Sequence, residues 1–242
     1  MRLRNIPGSR EIIAKSEFVV QRPEEKKGNW RSVFGSGHPI ELEIGIGKGR
    51  FLMDMAQRYP ERNFIGIEMY SSVLFRAIQL AEQRATGAET PLPVRETERP
   101  RRPADCNFRL LRFDATALTQ LFEKGEIGRI YLNFSDPWPK DRHADRRLTS
   151  ARFLSRYAQI LESGSELVFK TDDQALFAYS LEQVRACGWK LLAVTDDLHG
   201  SRKDRPAAPE TEALRRGNVM TEYEEKFAAE GKPICMLRAA AP

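Results

Sequence analysis

Asp136 lies where an apolar segment stops and a rigid turn begins. Residues 130–134 (IYLNF) are apolar and rich in β-branched and aromatic side chains, which predicts a short strand buried on both faces. Pro137 and Pro139 remove backbone donors and fix φ, so the strand cannot continue through them. The Asp136 carboxylate is therefore expected at the carboxyl end of a strand, where ligands bind in open parallel sheets. The simpler interpretation is a strand followed by a proline-stiffened turn.

A glycine-rich turn after an earlier apolar segment predicts a ligand-binding loop. Gly45, Gly47 and Gly49 let the backbone turn tightly and approach a ligand closely. Their G-x-G-x-G spacing differs from the G-x-G-x-x-G of dinucleotide binders, and Glu43 lies two residues before the first glycine. A purely structural turn is the alternative for such a loop.

Further acids end the next predicted strands. Glu68 lies about twenty residues beyond the glycine loop, where a carboxylate can accept both hydroxyls of a ribose. Asp114 ends the third strand, so that with Glu43 and Asp136 four acids are expected to line one crevice. Four carboxylates would repel a pyrophosphate but suit an ammonium group, a ribose and an adenine amine. This pattern favours S-adenosylmethionine as the cofactor.

Alternating strands and helices must position these residues. Strands are predicted at residues 40–44, 63–67, 107–112, 129–134, 166–171, 189–194 and near 234–238. Helices are predicted between them at residues 50–58, 72–84, 116–123, 150–161 and 173–186. The predicted fold is α/β: a Rossmann-like, seven-stranded, mostly parallel sheet with helices on both faces and an antiparallel last strand.

The segments outside this alternation predict the domain organisation. Residues 1–37 mix basic and apolar side chains without periodicity, and are expected to form an extended basic arm before a catalytic domain at 38–242. Two polar, proline-containing stretches, near 85–105 and 197–217, are expected to be surface insertions. The arginines of the first insertion either contact RNA or belong to a solvated loop; they are Arg99, Arg101 and Arg102.

Composition bounds the class of protein. The 242 residues are 41 % apolar, enough for one α/β domain with additions, and the formal charge of +5 mildly favours a polyanionic partner. Cys106, Cys187 and Cys235 are scattered without a C-x-x-C pair, so no disulfide framework and no metal site are expected. No signal peptide or membrane span is predicted, and a cytoplasmic protein is expected, either monomeric or homodimeric.

Five motifs, in chain order, carry a resemblance to a known family. They are residues 43–49 (EIGIGKG), 63–68 (NFIGIE), 133–140 (NFSDPWPK), 169–172 (FKTD) and 221–224 (TEYE). Together they resemble the bacterial tRNA (guanine-N7)-methyltransferases, which methylate a guanine of the tRNA variable loop (position 46). The resemblance implies that Glu43, Glu68, Asp114 and Asp136 line the cofactor and that Asp136 is also the catalytic position. It further implies that the RNA substrate faces Lys140, Asp172, Thr221, Tyr223 and Glu224.

Basic residues follow the D-P-W-P motif. Lys140, Arg142, Arg146 and Arg147 are predicted to meet phosphates near an extruded guanine, the alternative being a solvated helix start. Two acids at 141 and 145 dilute this run relative to the family.

Other residues near the predicted substrate site allow two interpretations each. Trp138 either stacks on a base or packs as a wedge between prolines. Thr221 and Glu224 either grip the base or form a helix capping box, and both can hold at once.

Guanine N7 carries an in-plane lone pair, so its methylation needs alignment and charge compensation but no general base. Asp136 could supply both by accepting hydrogen bonds from the base edge.

Other functions are less compatible with these residues. Amino-group methyltransferases, one alternative, place a second proline directly after the first, whereas Trp138 intervenes here. A nucleotide-binding oxidoreductase is disfavoured by the glycine spacing, and an RNA-binding module with a decayed cofactor site would fail to bind S-adenosylmethionine.

Overall fold

The computed structural model describes residues 6–90, 102–201 and 209–242. The chain divides into two compact units, one ending at Phe122 and the other spanning Glu123–Pro242. Its seven strands form a mostly parallel sheet in which the last strand in sequence runs antiparallel. The predicted fold class is therefore confirmed.

The first unit contains three parallel strands in the order β3-β2-β1. They are β1 (Ile40–Ile44), β2 (Asn63–Glu68) and β3 (Phe108–Arg112). The helices that follow them are α3 (Arg50–Arg58), α4 (Ser71–Thr86) and α5 (Leu118–Leu121), the last preceded by a 3-10 turn at Ala115–Ala117. Every residue of β1 and β2 is buried, including the acids Glu41 and Glu43 of β1 and Glu68 at the end of β2.

The N-terminal segment differs from the prediction. It contains α1 (Ser9–Lys15), a 3-10 helix at Pro23–Lys26 and α2 (Trp30–Phe34). Trp30 is fully buried, and its indole N–H donates to the Leu121 carbonyl at 2.7 Å. An extended arm is thus wrong for residues 9–34, because they belong to the first unit and bury apolar side chains such as Ile12, Phe18 and Trp30 within it. The division of the chain at residue 37 stays a prediction.

The second unit contains four strands in the order β4-β5-β7-β6. They are β4 (Ile127–Asn133), β5 (Leu161–Thr171), β6 (Lys190–Thr195) and β7 (Cys235–Ala240). β4 and β5 are parallel, whereas β7 runs antiparallel to both β5 and β6. The helices are α6 (Ala151–Ile160), α7 (Gln174–Ala186), α8 (Pro209–Arg216) and α9 (Glu222–Ala229), with a 3-10 helix at Asp141–Arg146.

The two predicted insertions have different outcomes. Helix α4 continues to Thr86, and residues 91–101, which include Arg99 and Arg101, lie outside the described residues. The backbone N–H of Arg102 donates to a Glu17 carboxylate oxygen at 3.1 Å. The stretch near 197–217 is not entirely loop, because helix α8 buries Thr211 and Leu214 within it. Across the described ranges, no helix combines the length and the apolar character needed to cross a membrane.

Candidate active site

The glycine loop leaves β1 through three left-handed residues. Gly45, Gly47 and Gly49 have φ angles of 78°, 56° and 80°, a region that other residues rarely adopt. The Gly45 amide donates to the Ile67 carbonyl of β2 at 2.8 Å, which fixes where the loop turns. A Cβ at Gly45 or Gly47 would meet no atom within 4 Å, whereas one at Gly49 would lie 3.0 Å from Ala77 Cβ. The first two glycines thus border open space, and the third allows close helix packing.

Three of the predicted acids belong to this first unit. Glu43 lies within β1 with 2 % of its surface exposed, and Glu68 is the last residue of β2 with 7 % exposed. The Glu68 carboxylate accepts a hydrogen bond from the Tyr70 amide at 2.9 Å, which holds it at the strand end. Asp114 is exposed and caps the following 3-10 turn by accepting from the Thr116 amide at 2.8 Å. Asp114 therefore has a structural task whatever else it binds.

Two large side chains beside Glu68 were missed by the sequence reasoning. Met69 and Tyr70 directly follow that acid and are both about half exposed. Exposed apolar side chains next to a predicted ribose-binding carboxylate suit the flat face of a base. In the sequence, the signal for such a surface is a methionine and a tyrosine directly after the acid that ends a predicted strand.

Asp136 lies in a strained loop of the second unit, residues 134–139, called here the Asp136 loop. Phe134 and Trp138 flank the acid with φ angles of 52° and 43°. Left-handed backbone at such residues costs about 1–3 kcal/mol each, so surrounding contacts must hold it. The Asp136 side chain is exposed, and no hydrogen bond to it is found from the residues that the structure describes. The carboxylate is thus presented to solvent from a strained backbone.

The basic residues after this loop do not share one environment. Lys140 and Arg142 are exposed. The Arg146 guanidinium stacks on Trp138, 4.9 Å from the ring centroid, and the His143 ring approaches the same indole edge-on at 5.9 Å. Trp138 therefore packs within its own segment.

Arg147 turns back onto the Asp136 loop. Its Nε donates to the Pro137 carbonyl at 3.0 Å, and its Nη2 donates to the Trp138 carbonyl at 3.1 Å. The same guanidinium lies 4.3 Å from the centroid of the Tyr179 ring in α7. Of the four predicted phosphate contacts, Arg147 is the one whose side chain holds the loop.

Glu224 lies at the centre of a buried polar cluster, defined here as Lys170, His199, Asn218 and Glu224. Lys170 Nζ lies 2.5 Å from Glu224 Oε2, which also accepts from the Thr221 amide at 3.4 Å. His199 Nε2 and Asn218 Nδ2 lie 2.9 Å and 2.5 Å from Oε1. A carboxylate offers about four acceptor positions, so these four donors occupy them all.

The cluster lowers the pKa of Glu224. Burial acts in the opposite direction and is the largest single influence, since Glu224 is fully buried. Hydrogen bonds from His199, Lys170 and Asn218, together with the Lys170 charge, outweigh it and keep the carboxylate ionised. Thr221 and Glu224 also complete the predicted capping box of α9, which is confirmed.

Lys170 was not among the predicted site residues. It is 1 % exposed on β5, and its three N–H donors reach Asn218 Oδ1, the Val219 carbonyl and Glu224 Oε2 at 2.9, 2.9 and 2.5 Å. The ammonium is therefore fully satisfied. It links β5 to the end of the second insertion and to α9.

The remaining predicted substrate residues present different surfaces. Tyr223 is 58 % exposed, and its ring stacks near Phe134 of the Asp136 loop at 6.4 Å between centroids. Asp172 follows β5 directly and is half-buried. Among the described residues, no group of His, Cys, Asp and Glu is arranged to hold a metal ion.

The chain is similar to known methyltransferases over nearly its whole length. Residues 37–237 match the family described as "Putative methyltransferase". A tRNA (guanine-N(7)-)-methyltransferase of Lachnoclostridium phytofermentans is 49 % identical over 99 % of this chain and 98 % of its own length. One from Bacillus subtilis is 41 % identical over 97 % and 96 %.

Solved structures support the fold alone. The structure of the 16S rRNA methyltransferase KamB superposes with a TM-score of 0.57 at 14 % identity, covering 89 % of this chain and 94 % of its own. The resemblance carried by the five motifs is confirmed by the full-length relatives. The chain belongs to the tRNA (guanine-N(7)-)-methyltransferase family.

Proposed function

We propose that the protein transfers the methyl group of S-adenosylmethionine to N7 of a guanine in the variable loop of tRNA. The observation that carries this proposal is the exposed Asp136 carboxylate on a strained loop, in a chain nearly half identical to a tRNA (guanine-N(7)-)-methyltransferase. We further propose a cytoplasmic location, which a tRNA substrate supports.

The first unit would hold the cofactor. Gly45 and Gly47 fit this task because open space lies where their Cβ atoms would be. Glu68 would accept the ribose hydroxyls, with Tyr70 and Met69 exposed beside it for the adenine face. Glu43 and Asp114 add negative charge that favours a sulfonium ligand over a phosphate-rich one. S-adenosylmethionine supplies an activated methyl group, so no metal is required for the reaction.

Asp136 would act on the base. Guanine N7 attacks without losing a proton, and positive charge then develops on the ring. An ionised carboxylate can accept hydrogen bonds from the Watson–Crick edge and stabilise that charge at the same time. Because Asp136 is exposed and its hydrogen-bonding capacity is not spent on described residues, it can do both.

The RNA would be held by groups near the same loop. The exposed side chains of Lys140, Arg142 and Arg146 would meet phosphates, and the exposed Tyr223 ring would offer a surface for base stacking. Asp172 and Thr221 remain candidate contacts to the substrate. Glu224 can contact a base only if one of its four donors is displaced, and its present partners favour a positioning role for it.

The direct test is incubation with radiolabelled S-adenosylmethionine and unmodified tRNA, followed by nucleoside analysis. Label in 7-methylguanosine is expected. A tRNA whose variable-loop guanine is replaced by adenine is the matched control and should take up no label. Label in an N-methylated amino group, or equal labelling of the control tRNA, would contradict the proposal. Binding of tRNA without any binding of S-adenosylmethionine would instead support an RNA-binding module with a decayed cofactor site.

A further inference from the structure

The Asp136 loop is anchored on both sides of its acid. Before it, the Phe134 amide donates to a carbonyl of β5 at 2.9 Å. After it, Arg147 donates to the Pro137 and Trp138 carbonyls at 3.0 and 3.1 Å. The first anchor is a backbone contact, whereas both hydrogen bonds of the second come from one side chain. Removing that side chain would remove both bonds and leave this end of the segment with the ring contacts of Arg146 and His143 on Trp138.

The Arg147 guanidinium suits this task better than a lysine would. Its Nε and Nη2 form one edge of a planar fork that meets two acceptors at once, while its face stacks on Tyr179. A lysine ammonium carries the same charge but cannot reproduce two fixed, parallel bonds. The two bonds also support Trp138, whose left-handed backbone needs external contacts.

We propose that Arg147 is a positioning residue that fixes the Asp136 loop for methyl transfer, rather than a contact to tRNA phosphate. The inference rests on the proposed function, since it assigns Asp136 the task that the loop must support. Two of the five guanidinium N–H donors, those on the Nε–Nη2 edge, are already engaged by carbonyls, and the guanidinium face stacks on Tyr179. Lys140, Arg142 and Arg146, which make no such bonds to the loop carbonyls, are left for the RNA.

The variants Arg147→Lys and Arg147→Gln separate the two roles. A positioning role predicts that both lower kcat by about ten- to a hundredfold, because small misplacements of a reacting group have effects of this size. KM for tRNA and the salt dependence of tRNA binding should stay at parental values, because no phosphate contact is lost. Arg152→Lys, at an exposed position in α6 of the same unit, is the control and should behave as the parent.

A second pair of variants tests the stacking contact, and a fluorescence measurement tests the loop without depending on turnover. Tyr179→Leu removes the ring on which Arg147 stacks, and should lower kcat in the same direction, whereas Tyr179→Phe keeps the ring and should not. Acrylamide quenching of tryptophan fluorescence reports on Trp138, since Trp30 and Trp189 are buried. Quenching should increase in Arg147→Lys and not in Arg152→Lys.

Other results would overturn the inference. If Arg147→Lys retains the parental kcat while Arg147→Gln raises KM for tRNA and flattens its salt dependence, Arg147 is a phosphate contact. If Arg147→Lys and Tyr179→Leu both lose S-adenosylmethionine binding and thermal stability, the pair supports the whole unit and not the loop. A parent enzyme that methylates an atom other than guanine N7 would refute the proposed function, while the quenching comparison would still decide whether Arg147 holds the loop.

Discussion

Two carboxylates of the second unit, Asp136 and Glu224, have opposite surroundings. Asp136 is exposed on a strained loop, and no described residue donates a hydrogen bond to it. Glu224 is fully buried, and four donors occupy its oxygens. A carboxylate with unused acceptor capacity can respond to a ligand, whereas a saturated one holds segments of the chain together. Burial and hydrogen-bond saturation, more than residue type, therefore separate the candidate catalyst from the structural acid.

The largest effect is expected when the Glu224 cluster loses its cation. Lys170→Met leaves a buried carboxylate without its ammonium partner, which should lower the free energy of unfolding by about 3–5 kcal/mol. Urea denaturation measures this change. Lys190→Met, at an exposed lysine of β6, is the control and should cost less than about 0.5 kcal/mol. If Lys170→Met lowers the free energy of unfolding by less than about 1 kcal/mol, Glu224 does not have the structural role that distinguishes it from Asp136.

Asp136→Asn should reduce turnover without affecting the fold. The change keeps the size of the side chain but removes the charge that would stabilise the methylated base, so kcat should fall at least about a hundredfold. Circular dichroism and S-adenosylmethionine calorimetry check that the protein remains folded. Asp141→Asn, at an exposed acid nearby, is the matched control. Turnover of Asp136→Asn within about threefold of the parent would exclude a catalytic role.

The exposed basic residues Lys140 and Arg142 should affect RNA binding alone. Replacing both with alanine should flatten the salt dependence of tRNA binding by about two units of slope, roughly one for each phosphate contact. Fluorescence anisotropy at several salt concentrations measures the slope. S-adenosylmethionine affinity should not change. An unaltered slope would mean that other parts of the chain, such as the N-terminal segment, supply the phosphate contacts.

The smallest effect concerns the pH dependence of stability. Because the pKa of Glu224 is lowered in the folded protein from its ordinary value of 4.5, its stabilisation is complete above that pH. The stabilisation is lost as the pH falls below 4.5 towards the folded-state pKa, where the native carboxylate takes up its proton. Glu224→Gln should therefore show a shallower loss of stability between pH 5 and pH 3 than the parent does, measured by urea denaturation. Identical slopes would contradict the ionised state of Glu224.

The sequence predicted best those elements whose signals are local. Strand β1 and helix α3 were predicted to the residue, because an apolar run, a glycine turn and a helical pattern follow one another directly. Helices α1 and α2 were missed, because they are short and depend on distant contacts such as that of Trp30 with Leu121. Helix α8 was missed because it lies in a polar stretch whose composition resembles a loop.

In the candidate site, too, residues with local signals were predicted and residues that depend on distant contacts were not. The place of Glu68 at the end of β2 followed from spacing alone. The burial of Lys170 could not be predicted, because its partners Asn218 and Glu224 lie 48 and 54 residues away and a strand lysine is ordinarily solvated. The bonds from Arg147 to the loop carbonyls were equally hidden, since basic residues after D-P-W-P all look alike in sequence.

The N-terminal segment also changes how the sheet meets other molecules. Phe18 and Val20 exchange backbone hydrogen bonds with Leu110 along the outer side of β3, at 2.9 and 3.1 Å. An uncovered edge strand offers its free N–H and C=O groups to any extended chain and promotes aggregation. Occupied by residues 18–20, this stretch of the edge cannot recruit another polypeptide. Loss of residues 18–20 would therefore expose this edge and lower the solubility of the protein.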